Sequence, residues 1–69
     1  MTDSELNKII MDALSSGKVK TIHQRVIRAM HAVMRGEKWR DVEREYEVTQ
    51  GGISRAFKRI GVDLKQLNR

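Results

Sequence analysis

Apolar side chains recur along this chain at spacings of three and four, in four blocks, and each block reads as a helix with one buried face. The first block runs from Asp3 to about Ser15, with Leu6, Ile9, Ile10, Ala13 and Leu14 on one stripe. Thr2 or Asp3 supplies its N-cap oxygen, and Glu5 places a negative charge in the first turn, where the helix dipole favours it. Ser15, Ser16 and Gly17 end it. The second block runs from about Lys20 to Arg35 and stops at Gly36. Ile22, Val26, Ala29, Met30 and Val33 form its inner stripe, widened by Ile27 and Met34.

The third block is Trp39 to Tyr46, where Trp39, Val42 and Tyr46 share a face. Glu47, Val48 and Thr49 make a turn, and Thr49 is placed to cap the next helix. The fourth block runs from Gln50 to about Ile60, buries Ile53, Ala56, Phe57 and Ile60, and stops at Gly61. Val48 before the cap and Ile53 within the helix have the spacing of a hydrophobic staple, which fixes the angle of chain entry. After it, Asp63 is expected to cap one last turn carrying Leu64 and Leu67. Met11, Met30 and Met34 read as core fillers, and Trp39 as a core anchor.

With no proline and abundant helix formers, the expected fold class is all-α: one small domain over residues 1–69, of about four helices, containing a helix-turn-helix at about residues 39–60. A chain of 69 residues buries a modest core, so a homodimer or higher oligomer is expected. There is no cysteine, hence no disulfide or thiolate metal site. The polar start MTDSELNK does not read as a secretory signal, and no apolar run spans a bilayer. The expected location is the cytoplasm.

Charge changes the picture more. The net charge is +5 and the pI about 10.1. That balance favours polyanions, nucleic acid first and anionic membrane second, although many small proteins are basic for no such reason. Its distribution is more telling. Residues 37–48 hold five acids against three bases, and residues 49–69 five bases against one acid. The third helix is therefore an acidic-leaning support, and the fourth carries the positive charge. Lys18, Lys20, Arg25 and Arg28 give the second helix a basic outer face, either a solvated surface or a set of phosphate contacts.

Gln50, Gly51, Ser54, Arg55, Lys58 and Arg59 fall on the outer side of the fourth helix. Arginine matches guanine with two hydrogen bonds and glutamine matches adenine, so this face has the donors a major-groove reader needs. Thr49, Ser54 and first-turn amides reach phosphates. Gly51 and Gly52 are costly inside a helix, and either close approach of backbone to DNA or a tight helix crossing explains them. His23 and His31 lie eight apart with no third ligand at matching spacing, so no metal site is expected. No catalytic set and no cofactor-binding loop is visible, so the chain does not read as an enzyme. Only three aromatics are present, too few for a platform that stacks single-stranded nucleic acid.

The segment GEKWRDVEREYEVTQGGISRAFKRI, residues 36–60, resembles the helix-turn-helix of the TrfB-related regulators, which include KorA-type plasmid repressors and PapB-type regulators of fimbrial operons. The shared pattern is Gly36, Val42, Tyr46, Val48, Thr49, Gly51, Ser54, Arg59 and Ile60, with a weaker likeness at TDSEL. The resemblance implies a bacterial repressor that binds double-stranded DNA and reads it with Gln50, Arg55 and Arg59. Phosphate or backbone contacts would then fall to Thr49, Gly51, Ser54 and Lys58, with Lys18, Lys20, Arg25 and Arg28 beside them. KorA-type repressors carry a further dimerisation domain, whereas nine residues follow Ile60 here, so a dimer is expected to use the N-terminal helices or the tail. The rival expectation is a basic protein-interaction module that docks an acidic protein partner or antagonises a larger regulator. A nonspecific architectural DNA binder is a third.

Overall fold

The computed structural model describes residues 2–63, which form four α-helices: α1 (Asp3–Ser15), α2 (Gln24–Met34), α3 (Trp39–Tyr46) and α4 (Gln50–Arg59). The class is all-α, as the periodicity implied. Among the described residues no helix is long and apolar enough to cross a membrane. The last turn expected after Asp63, with Leu64 and Leu67, lies outside the described residues.

Helix α1 begins with a capping box. The Thr2 hydroxyl accepts from the Glu5 amide at 3.2 Å, and the Glu5 carboxylate accepts from the Thr2 amide at 2.8 Å. Two orphan donors are thereby satisfied reciprocally. The Thr2 amide, and after it the Thr2 hydroxyl, holds the Glu5 carboxyl below the usual carboxylate range. A group whose folded value is depressed contributes stability above its unfolded value, lost as pH falls through the folded one. Acidification through the carboxylate range is therefore expected to fray α1 first. The check is a pH series of helix content, in which Glu5→Ala should show a shallower acid loss than the wild type.

Leu6, Ile10 and Ala13 of α1 are buried, and Ile9 and Leu14 pack half-exposed against the same core. Met11 departs from expectation: it is 60% exposed. It lies on the helical row of Ser4, Lys8 and Ser15, one step round from the row that Leu6, Ile10 and Ala13 fill.

The start of α2 also departs from expectation. The helix begins at Gln24, four residues after Lys20, with His23 as its N-cap. His23 Nδ1 accepts from the Arg25 amide at 3.1 Å. Residues 18–23 instead run as a non-helical connection whose Val19 is buried and whose Ile22 packs against the core. Val19 is held by a bond from its amide to the Ala13 carbonyl at 3.2 Å. Ile22 stands four before Val26 and so continues the helical stripe, which is why periodicity extended α2 too far. Lys18 and Lys20 are thus off the helix.

Helix α2 is the centre of the packing: its interfaces with α1, α3 and α4 are the main ones in the molecule. Ala29, Met30, Ala32 and Val33 are its buried residues. The largest side chains with no exposed surface come from all four helices: Leu6, Met30, Val42, Ile53 and Phe57. His31 pins α1 to α2, with Nδ1 2.9 Å from Asp3 Oδ1 and Nε2 3.0 Å from Asn7 Oδ1. Arg35 adds a looser contact to Asp3 at 3.8 Å.

Candidate nucleic-acid interface

Helices α3 and α4 are joined by residues 47–49. The connection is tight because Glu47 takes a left-handed conformation, φ 54°, a region that disfavours side chains with a Cβ. The Glu43 carbonyl accepts from the Glu47 amide and from the Val48 amide at 3.2 Å. Val48 then packs against the core that contains Ile53, as a staple requires. Thr49 is the N-cap of α4, its hydroxyl accepting from the Gly52 amide at 3.0 Å. At the far end, the Val62 amide bonds to the Phe57 carbonyl and the Gly61 amide to the Lys58 carbonyl. This is a Schellman closure, with Gly61 at φ 84° and Val62 buried against the helix.

The buried face of α4 is Ile53, Ala56 and Phe57. Gln50, Gly51, Arg55, Lys58 and Arg59 are exposed, with Ser54 half-buried. The outer face splits into two flanks. Arg55 and Arg59 border a shallow groove whose other wall is Thr21, Ile22 and His23, leading into α2. Ser54 and Lys58 border a hollow closed by Gly61, Val62 and Asp63. Among the described residues, no cation of α4 takes part in an ion pair. The Arg55 guanidinium folds back over its own helix, its Nε donating to the Gly51 carbonyl at 3.3 Å.

The two glycines separate. A Cβ on Gly52 would lie 3.1 Å from the Thr49 hydroxyl, so the cap itself presses on this position. A Cβ on Gly51 would meet the Arg55 guanidinium at 3.9 Å, an ordinary contact with the end of a flexible side chain. Among the described residues, nothing calls for glycine at 51.

The four outlying cations fall in different places. Lys18 Nζ would stand 3.0 Å from a Cβ on Gly61, which puts its ammonium beside the C-terminal end of α4. A cation is favoured there by the helix dipole. Lys20 is exposed on the connection before α2. Arg25 and Arg28 border a separate cleft shared with Glu45, Tyr46 and Glu47 of α3 and its turn. The chain therefore brings Lys18 to the α4 surface, whereas Arg25 and Arg28 border the acidic end of α3.

Three contributors to this surface escaped the sequence. Thr21 and His23 wall the Arg55–Arg59 groove, and the signal was available only in the misplaced start of α2. Glu43 reaches α4 directly: its carboxylate accepts from the Gln50 amide at 2.8 Å. A link across seven positions, through a turn, belongs to no local motif. Compared with known proteins, the chain matches no family model, no curated protein and no solved structure.

Proposed function

We propose that this protein is a sequence-specific DNA-binding transcriptional regulator, most simply a repressor, which lays α4 in the major groove. The observation that carries the proposal is the outer face of α4. It presents Gln50, Arg55, Lys58 and Arg59 exposed on one rigid helix that bears no acidic residue. The preceding helix has its own charges mixed, with Arg44 and Asp41 paired at 3.6 Å. Charge, donor geometry and a tight entry turn thus converge on one element, which is what groove reading demands. The resemblance of residues 36–60 to TrfB-related regulators supports the same reading.

In this proposal Arg55 contacts a base edge, with Gln50 and Arg59 beside it. Thr49, Ser54, Lys58 and the Gly51 backbone meet the phosphate chain, and Lys18 extends that track past the end of α4. Lys20, Arg25 and Arg28 serve as more distant phosphate contacts. A homodimer on a two-fold site is the simplest assembly. The deciding experiment is selection of bound duplexes from a random DNA pool. Enrichment of a defined site, symmetric for a dimer, is the expected result. If no sequence is enriched but binding weakens with salt, the protein is an architectural binder. If no duplex is retained, the basic face docks an acidic protein instead.

Two variants separate the roles. Lys58→Ala should weaken all duplexes alike and reduce the slope of log K against log salt by about 1. A change confined to one base pair would reassign Lys58 as a reader. Gly51→Ala should leave the fold intact or stabilise it by up to about 1 kcal/mol, because the added methyl meets the Arg55 guanidinium at ordinary contact distance, 3.9 Å. It should nonetheless weaken DNA binding, since the methyl occupies the gap between helix and DNA. Melting and titration of the same preparation test both halves, and undiminished affinity would remove close approach as the reason for Gly51.

A further inference from the structure

Glu43 sits half-buried on α3, yet its acceptors serve the next two segments. Its carbonyl takes the amides of Glu47 and Val48, and its carboxylate takes the amide of Gln50. One residue therefore grips the last turn of α3, the connection and the first residue of α4. Of the amides that open α4, Gln50's is held by Glu43 and Gly52's by Thr49. The Ile53 amide already bonds to the Thr49 carbonyl. Among the described residues, only the Gly51 amide of that turn is left without a partner.

A helix N-terminus ordinarily attracts phosphate, through free amides and the positive end of the dipole, and it does so whatever the base sequence. Here a carboxylate of the chain itself occupies that end. Resting on the proposal that α4 reads DNA, we infer that Glu43 is a positioning and specificity-setting residue. It locks the leading end of α4, where Gln50 meets the bases, and it closes the Gln50 amide to phosphate, so that the Gly51 amide is the phosphate position left at that end. A hydrogen bond to an ionised acceptor is short and strong, so the lock is stiff. The negative charge repels a backbone phosphate that drifts out of register. Affinity for wrong sequences is thereby lowered more than affinity for the right one, which is how a repulsive element produces specificity.

The test compares wild type, Glu43→Gln and Glu43→Ala in full-length protein, on the duplex selected from the random pool and on a scrambled duplex of equal length. It is run at two salt concentrations and at a temperature where circular dichroism shows each variant fully folded. Glu43→Ala should tighten on the scrambled duplex and weaken on the selected one, so that their ratio falls roughly tenfold. The salt slope on the scrambled duplex should steepen by about one phosphate. Glu43→Gln keeps an oxygen acceptor for the Gln50 amide but loses the charge, so its ratio should fall between those of the wild type and Glu43→Ala. If Glu43→Ala does not fold, Glu43→Asp takes its place: it retains the charge but is one methylene too short to reach the Gln50 amide, and the ratio should fall. An unchanged ratio in the folded Ala or Asp variant, whatever its melting temperature, overturns the inference, as does an equal fall in the Gln variant. Wild-type protein that treats the two duplexes alike overturns the DNA-reading proposal itself, and this inference with it.

Discussion

Phe57→Ala is expected to leave a chain that is largely unfolded near room temperature. Phe57 has no exposed surface and belongs to the same core cluster as Leu6, Met30, Val42 and Ile53, a cluster to which all four helices contribute. Truncating a buried phenylalanine costs about 3–5 kcal/mol, the lost transfer energy plus the cavity left behind. A domain of this length is stable by roughly 3–10 kcal/mol in total. The loss is thus comparable with everything that holds the fold. Neighbouring side chains could relax into the gap only by pulling α2 or α4 out of place, because Met30 and Ile53 are themselves fully enclosed. A urea or thermal melt followed by circular dichroism makes the measurement. A midpoint lowered by less than about 5 °C would correspond to about 1 kcal/mol and would show that Phe57 is peripheral. Phe57→Leu, which keeps most of the volume, should cost far less.

Arg55→Ala should act in the opposite way, on binding and hardly on folding. Its side chain is exposed and makes one long bond, to the Gly51 carbonyl at 3.3 Å. Removing it should change stability by less than about 0.5 kcal/mol. On the selected duplex the expected loss is about 1–3 kcal/mol, with the preference at one base pair flattened. The contact to Gly51 bears on this magnitude. It stores the guanidinium along the helix axis, so the side chain arrives partly ordered and loses less rotamer freedom when it swings to a base. Footprinting of wild type and variant on the selected site provides the check. An unchanged footprint would mean that α4 is not the reading element, and attention would pass to the Thr21–His23 wall of the groove.

Much of this was legible in the sequence. Thr2 and Glu5, Thr49, Val48 with Ile53, and the glycine stops all act where their chemistry put them, because caps and staples are local. The end points of α3 and α4 followed for the same reason. The outer face of α4 was legible too, since a helix between a clear cap and a clear stop fixes which side each residue takes. What could not be read depends on tertiary placement. Ile22 looks helical by spacing, four before Val26, but with Val19 it anchors a non-helical connection. Met11 looks like a core residue by type, yet its row on α1 faces no other helix. The bond from Glu43 to Gln50 exists only because the left-handed Glu47 folds α4 back within reach. The destinations of Lys18, Arg25 and Arg28 likewise depend on how the helices lie against one another.

The central place of α2 has a consequence for how the molecule moves. The main interfaces radiate from it, so the domain is built as a hub with three spokes. A strain applied at α4 reaches α1 chiefly through α2, whose far end is tied to Asp3 and Asn7 by the half-buried His31. Of the three spokes, α1 has the thinnest attachment. It is the natural unit of partial opening, able to lift while α2, α3 and α4 stay packed. Backbone amides of α1 would then exchange with solvent ahead of those of α2. A protein built this way can loosen at one end without disturbing the helix at the other.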